Sequence, residues 1–249
     1  MFIFDGTHTI GYPLCYLCRM TKMPLKILIV LVFSISQTLA YSQTAKFCNI
    51  TFQNGDLLFV GAKSGDLSGA INRVTQREEN SAFDHVALVE VSHDRIYLIH
   101  ATGEKGTLRE SIRDYIHRSL LEEPTWFIFR LKDDYQPCIP DAIDEAKKWL
   151  GKPYNWSYVL NDSSIYCSDL IERAFRKCSL FDLEPMTFKD PETNEFDTYW
   201  IRFYDKLGIP VPEGQPGCNP NGLAASDKLL AVGAYDHRVL RCIGDSIPW

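Results

Sequence analysis

A cysteine at the start of a predicted helix is the residue of this sequence best suited to nucleophilic chemistry. The residues after Cys167 have the apolar spacing of an amphipathic helix, at Leu170, Ile171, Ala174 and Phe175. A thiol in a first helical turn meets unpaired backbone N–H groups and the positive end of the helix dipole, and both favour the nucleophilic thiolate. We therefore predict that Cys167 is a nucleophile. The alternative is a buried structural cysteine.

A base for this thiol could come from two histidines on a predicted β-hairpin. Residues 83–91 and 96–101 have the composition of strands and are separated by the turn sequence Ser-His-Asp-Arg. His85 lies near the start of the first strand and His100 near the end of the second, so we expect the side chains to face each other about 5 Å apart. His85 could then accept the thiol proton while His100 orients it. Glu90 is the alternative orienting residue, and either histidine alone could be structural.

The remaining patterns predict one α+β domain. Strands are predicted at residues 57–60, after an Asn-Gly-Asp turn, at 126–131, and once or twice within 229–240. Helices are predicted around residues 67–74, over 107–121, and over 142–150 with Asp141 as the cap. Residues 182–222 hold many Pro and Gly residues and are predicted to be a long excursion over the surface. The expected fold is an antiparallel sheet packed against helices, with the nucleophile at a helix N-terminus.

The N-terminal region has the pattern of an export signal. Lys22 and Lys26 flank the start of the apolar run 27–33, and small residues follow at Ala40 and Ser42. We predict that residues 1–42 are a signal-peptide region with an over-extended start, and that residues 43–249 are a separate domain. The protein would then be exported, to the periplasm or the exterior. The alternative is an uncleaved membrane anchor.

Cysteine content and charge restrict the partners of the chain. An oxidising compartment permits disulfides, so we predict that Cys167 stays free and that any disulfide joins two of Cys48, Cys138, Cys178, Cys218 and Cys242. No metal-ligand spacing, phosphate-binding loop or dinucleotide fingerprint is present, so neither a metal nor a cofactor is predicted. The net charge of -6 argues against nucleic acid as a partner.

Five short motifs occur in an order that resembles a known family. They are Gly55-Asp56-Leu57-Leu58-Phe59, Asp84-His85-Val86-Ala87, Ile99-His100-Ala101, Leu150-Gly151-Lys152-Pro153-Tyr154, and Asp162 with Tyr166-Cys167-Ser168-Asp169-Leu170. The set is similar to the YiiX-like branch of the NlpC-type cysteine hydrolases, which have a circularly permuted papain-like fold, and it covers roughly residues 52–178. The resemblance implies Cys167 as nucleophile, His85 as base and His100 as third member. Many relatives carry Glu at that third position.

The combined prediction is an exported cysteine hydrolase that cleaves an amide bond by Cys-His catalysis. Export favours a peptide of the bacterial cell wall as substrate, with association to the cell envelope. One alternative is a lipid-directed acyl hydrolase or acyltransferase, for which five aromatic residues could wall an apolar groove: Trp156, Tyr158, Tyr199, Trp200 and Phe203. Ordinary core packing would explain the same aromatics. A non-catalytic binding module on this fold is the other alternative.

Overall fold

The computed structural model describes residues 43–76, 82–119 and 123–240. The predicted signal region 1–42 lies outside the described residues. The strands are β1 (Thr44–Phe47), β2 (Ile50–Gln53), β3 (Leu57–Gly61), β4 (Phe83–Ser92), β5 (Arg95–Thr102), β6 (Gly106–Ser111), β7 (Trp126–Leu131), β8 (Glu184–Pro185), β9 (Pro216–Gly217) and β10 (Leu229–Tyr235). Six of them form one antiparallel sheet in the order β10-β7-β3-β4-β5-β6, as expected from the predicted hairpin.

Several of the helices pack on this sheet. They are α1 (Asp66–Thr75), α2 (Ile112–Ser119), α3 (Ile139–Lys148), α4 (Cys167–Phe175), α5 (Thr198–Leu207), α6 (Pro220–Ala224) and α7 (His237–Leu240). Two 3-10 segments, Asp133–Cys138 and Arg176–Cys178, precede α3 and follow α4. Within the described part of the chain, none of the helices has the length and apolar character needed to cross a bilayer.

The hairpin of β4 and β5 is confirmed, with a small shift in register. Leu88 pairs with Ile99, and continuing that register puts Ala87 opposite His100. His85 is therefore a diagonal neighbour of His100, on the same face, and is not directly opposite as expected. On its other side β4 carries a bulge, because Val60 pairs with His85 while Gly61 pairs with Phe83. A bulge bends the strand and re-aims the side chains beside it, here next to His85.

Helices α3 and α4 cover one face of the sheet. The core between them contains residues of alternate positions on the strands, among them Leu57, Val86, Leu88 and Ile99. Every residue of α4 is buried. The charged side chain of Asp169 is tolerated there because Arg173 Nε donates to it at 2.6 Å. The helix that carries Cys167 is thus held on all sides.

The start of α3 differs from the prediction. The helix begins at Ile139, and Asp141 lies in its first turn instead of capping it. Pro140 explains the earlier start, because proline is well suited to the first positions of a helix, where its missing N–H costs nothing. The helix also ends at Lys148, two residues before the predicted end.

A disulfide ties the start of α3 to the end of α4. It joins Cys138 and Cys178, which are 40 positions apart in sequence. In the chain-entropy account, a loop of that length makes the disulfide worth about 4 kcal/mol. Cys48 is disulfide-bonded as well, whereas Cys167 and Cys218 are free thiols. The predicted free state of Cys167 is confirmed, and Cys242 lies outside the described residues.

The opposite face of the sheet is covered by α2 and the hairpin of β1 and β2. Their apolar residues pack on Leu58, Ala87, Val89 and Leu98. The prediction of one helix over 107–121 was wrong in its first part, because residues 106–111 form β6 and the helix begins only at Ile112. Backbone pairing of β6 with β5 along the sheet edge overrides the helical spacing of Leu108 and Ile112.

An aromatic cluster occupies the end of the molecule near the start of α4. Its buried members include Tyr158, Tyr166, Phe188, Trp200 and Tyr204. The prediction of a surface excursion over 182–222 was therefore incomplete, since this segment contains α5 and buries three of these rings. At the C-terminal end, residues 229–240 give one strand, β10, followed by the short helix α7.

Candidate active site

The sulfur of Cys167 lies at the N-terminus of α4. Tyr166, with extended backbone, is the N-cap residue, and Cys167 is the first residue of the helix. Three neighbouring groups favour the ionised form of the sulfur: the backbone N–H groups of Val86 in β4 and of Ser168, and the hydroxyl of Tyr154. Cys167 is only 4% exposed. The sheet and the helix together hold the thiol in one place.

Burial decides the protonation state of Cys167. It raises the pKa of the thiol to about 11; the N–H groups of Val86 and Ser168 act against this rise, and the negative charge of Asp84 adds to it. We predicted that the helix N-terminus would favour the thiolate. This effect is outweighed, because loss of hydration destabilises the anion more than the nearby donors stabilise it. At neutral pH the thiol is protonated, so it needs a base before it can react.

The two predicted histidines lie in a chain of hydrogen bonds. Nε2 of His85 is 2.9 Å from Nδ1 of His100. Nε2 of His100 is 2.7 Å from a carboxylate oxygen of Glu110 in β6. The guanidinium of Arg118 in α2 donates to both oxygens of Glu110, at 2.7 and 2.6 Å. The chain therefore crosses from β4 over β5 and β6 to α2.

The carboxylate of Glu110 determines which ring nitrogens of His100 and His85 carry a proton. Burial acts to raise the pKa of Glu110, but the hydrogen bonds from Arg118 and His100 prevail and lower it to about 2. An ionised carboxylate only accepts hydrogen bonds, so Nε2–H of His100 donates and its Nδ1 is an acceptor. Nε2–H of His85 then donates to that Nδ1. These tautomers, assigned from the hydrogen bonds, leave Nδ1 of His85 unprotonated.

Both imidazoles are neutral at neutral pH. Burial lowers the pKa of His85 to about 3, and the neighbouring His100 acts in the same direction. Burial also lowers the pKa of His100, although its hydrogen bond to Glu110 opposes that shift. A neutral imidazole with an unprotonated nitrogen is the form that can accept a proton. His85 is therefore in the state that a general base requires.

Cys167 packs against β4, the strand that carries His85. The backbone N–H of Val86, the residue after His85, acts to lower the pKa of the thiol. Because side chains alternate along a strand, Val86 packs in the core around Cys167, whereas the His85 ring meets His100 on the other face. Among the described residues no hydrogen bond joins Sγ to the His85 ring. Their direct contact stays a prediction, and such contacts are often incomplete before substrate binds.

Glu90, the alternative orienting residue, is occupied elsewhere. Its carboxylate binds Nε of Arg109 and, at 2.8 Å, Nζ of Lys147. It lies farther along β4, roughly 16 Å from His85 at the usual rise of a strand. The structure thus pairs His85 with His100.

Glu110 and Arg118 were not singled out in the sequence. The predicted helix over 107–121 hid them, because a helix would carry Glu110 away from β5. In the observed register His100 pairs with Leu108, so Glu110 is its diagonal neighbour on the same face. The turn sequence Thr-Gly-Glu-Lys-Gly at 102–106 could have revealed the position of Glu110, because such a turn indicates a return strand.

A cavity of about 250 Å³ opens beside the sulfur of Cys167. Its apolar walls include Ile71, Val74, Met186, Phe188 and Pro220, and two of the five predicted aromatics, Tyr158 and Trp200, also line it. The acidic residues of the lining are Asp84 and Glu184, and no Lys, Arg or His side chain of the described chain contributes to it. The other three predicted aromatics, Trp156, Tyr199 and Phe203, lie outside the lining.

Fold and site together define a class of protein. A buried cysteine begins a helix that packs on an antiparallel sheet, and the histidine-bearing strands precede that helix in the chain; this is the arrangement of a cysteine hydrolase with a permuted papain-like fold. A family profile described as permuted papain-like amidase enzyme, YaeF/YiiX, C92 family, matches residues 51–233. The chain belongs to this family. Both the predicted fold class and the prediction of a cysteine hydrolase are confirmed, while the wider NlpC-type grouping stays a prediction.

Solved structures contain the same fold. The chain is similar to the crystal structure described as metalloprotein yiiX from Escherichia coli O157:H7, with 18% identity and a TM-score of 0.57 over 74% of this chain and 97% of that chain. At this identity the likeness concerns the fold alone. None of the curated proteins gives a significant match. In the ranges that the structure describes here, no three His, Cys, Asp or Glu side chains are grouped so that they could hold a metal ion.

Proposed function

We propose that this cysteine hydrolase is an exported amidase in which Cys167 is the nucleophile, His85 the general base and His100 the residue that orients the base. The observation that carries the proposal is the hydrogen bond between Nε2 of His85 and Nδ1 of His100, which leaves Nδ1 of His85 to accept a proton, on the strand that packs against Cys167. Export is inferred from the charged and apolar pattern of residues 22–42. The disulfide between Cys138 and Cys178 agrees with an oxidising compartment.

The proposed reaction has two halves. The Cys167 thiol gives its proton to Nδ1 of His85 while the sulfur bonds to the amide carbon of the substrate. The imidazolium of His85 then passes that proton to the leaving nitrogen as the C–N bond breaks, which leaves a thioester on the sulfur and releases an amine. Water next attacks the thioester, with His85 again as base. The carboxylic acid is released and the thiol is restored.

The oxyanion formed in each half needs donors. The backbone N–H of Cys167, in the first turn of α4, is one. Tyr154 can supply the second, because it lines the same cavity as Cys167 and burial keeps its hydroxyl protonated by raising its pKa well above the usual value. A donor fixed in a buried site costs no reorganisation when the negative charge develops.

Replacing Tyr154 by Phe tests this second donor. We expect Tyr154→Phe to lower kcat by roughly 10²-fold, the effect of losing one oxyanion donor, with little change in KM. Tyr166→Phe is the matched control, because the Tyr166 hydroxyl lies in the same aromatic cluster but contacts Cys218 instead. Steady-state kinetics on both variants decides the matter. Equal rates for Tyr154→Phe and wild type would remove Tyr154 from the reaction.

We infer two candidate substrate classes, one from the proposed export and one from the cavity. Export favours a peptide of the bacterial cell wall, within a cell envelope where the protein would act. The cavity beside Cys167 favours the second class, a lipid-like acyl amide, because its walls are mainly apolar and its charged lining residues, Asp84 and Glu184, are acidic. Such a lining binds an uncharged acyl chain better than a carboxylate-bearing peptide.

Turnover of two probe series separates the classes. One series is a set of cell-wall stem peptides, and the other is a set of N-acyl p-nitroanilides with acyl groups from acetyl to dodecanoyl. Release of stem-peptide fragments supports the peptide class, whereas kcat/KM that rises with acyl length supports the acyl class. Intact-mass measurement during turnover should show an acyl adduct on Cys167 in either case. Absence of turnover in both series would overturn both substrate proposals.

A further inference from the structure

We propose that Glu110 and Arg118 are positioning residues which set the tautomers of His100 and His85, so that Nδ1 of His85 is always the nitrogen available to the thiol. The inference rests on the proposed function and adds two residues to it. Neither of them contacts the sulfur, and each acts through the hydrogen-bond chain that ends at His85.

The geometry of Glu110 explains how a carboxylate can set a tautomer. The guanidinium of Arg118 donates to both oxygens in a bidentate contact, which fixes the plane of the carboxylate and keeps it ionised. Glu110 is 9% exposed and the His100 side chain is fully buried, so water cannot easily replace this partner. The ring of Tyr115 in α2 packs edge-on to the His100 ring at 5.4 Å between centroids. His100 is therefore held with Nε2–H toward Glu110.

The tautomer of His100 in turn determines the tautomer of His85. Nδ1 of His100 has no proton, so it accepts from Nε2–H of His85. If His100 carried its proton on Nδ1 instead, Nε2 of His85 would have to accept, and the His85 proton would move to Nδ1. That form of His85 cannot take a proton from the thiol. The charge of Glu110 thus selects the reactive tautomer of His85 through the intervening His100.

The charge also matters during the reaction. When His85 takes the thiol proton it becomes a cation in a site whose burial disfavours cations. Glu110 is the anion that faces this pair through His100, and its interaction with His85 favours the protonated form. Loss of that charge should raise the barrier to proton transfer without changing how substrate is held.

The sheet offers a matched control in Glu90. Glu90 and Glu110 have the same side-chain exposure, 9%, and each is bound by basic side chains of neighbouring elements. Glu90, however, contacts Arg109 and Lys147 and not an imidazole. Glu90→Gln therefore removes a comparable ion pair from the same sheet and leaves the tautomers alone.

The kinetic test compares Glu110→Gln with Glu90→Gln. A Gln at 110 keeps the shape but can turn its NH₂ group toward His100 and stabilise the wrong tautomer. We expect Glu110→Gln to lower kcat at least about 10-fold with KM unchanged, and Glu90→Gln to keep the wild-type kcat. Arg118→Lys should retain more activity than Arg118→Met, because it restores the charge beside an intact Glu110. Equal losses for the two Gln variants would mean a merely structural role and overturn the proposal.

A spectroscopic readout separates this inference from the proposed function. In ¹⁵N-histidine-labelled protein, NMR distinguishes protonated from unprotonated ring nitrogens, and signals are assigned with His85→Gln and His100→Gln samples. We expect Nε2–H for both rings in the wild type and in Glu90→Gln, and a shift toward Nδ1–H in Glu110→Gln and Arg118→Met. Unchanged tautomers in both of these variants would overturn the proposal. If no substrate is turned over but the tautomers respond as expected, the proposed function fails and the positioning role stands.

Discussion

Replacing Cys167 by Ala is expected to remove nearly all amide hydrolysis. The variant keeps the cavity, the donors and the histidine chain but has no atom that can form the thioester. Loss of a nucleophile in a comparable enzyme costs on the order of 10⁶ in kcat. The expected loss is therefore larger than that for replacement of His85 or Tyr154. Initial rates on the best substrate of the two probe series measure it.

The fold should survive this substitution. Trimming one sulfur from a packed core is comparable to removing a methyl group, which costs about 1 kcal/mol, and α4 is buried along its whole length. Thermal unfolding followed by circular dichroism checks that the variant is folded. Cys218→Ala is the matched control, because Cys218 is the other free thiol among the described residues and lines the same cavity. Full activity in Cys167→Ala, or loss of activity in Cys218→Ala alone, would contradict the assignment of the nucleophile.

Local patterns were sufficient for the parts of the fold with strong periodicity. The hairpin of β4 and β5, the strand β7 and the helix α4 follow from alternation or helical spacing that agrees with their packing. Residues 107–111 could not be assigned in this way. Their helical spacing continues into α2, and only pairing with β5, a contact between distant positions, makes them a strand. The helix α5 was missed because the Pro and Gly residues around it outweighed its own aromatic spacing.

The sequence predicted the candidate residues of the site. It did not predict the pKa of the thiol or the carboxylate that binds His100. Motif order and strand position singled out Cys167, His85 and His100 as candidates. The thiol pKa was predicted in the wrong direction, because the helix N-terminus can be read in the sequence whereas burial of the sulfur cannot. Glu110 was missed for a related reason. Its carboxylate reaches His100 only because the register of the sheet places the two residues side by side.

Replacing His85 by Gln is expected to remove most of the rate and to change its dependence on pH. Without a base, only the ionised fraction of the thiol reacts, and with a pKa of about 11 this is roughly one molecule in 10⁴ at pH 7. We expect kcat/KM to fall on the order of 10³-fold at pH 7, within the usual range for loss of a general base. His93→Gln, at an exposed turn position, is the control and should behave as wild type.

The pH profile shows whether the loss comes from the base. In the variant the thiolate fraction, and with it kcat/KM, should rise about tenfold per pH unit from pH 7 to 10. In the wild type the base is neutral above its pKa of about 3, so the acid limb should lie well below the ordinary histidine value of 6.5 and the rate should be flat near neutrality. A wild-type limb near pH 6.5 would mean that the catalytic histidine is solvated and unlike His85 as the structure shows it. A variant with a low but flat profile would mean that another group deprotonates Cys167, because no step would then wait for the free thiolate.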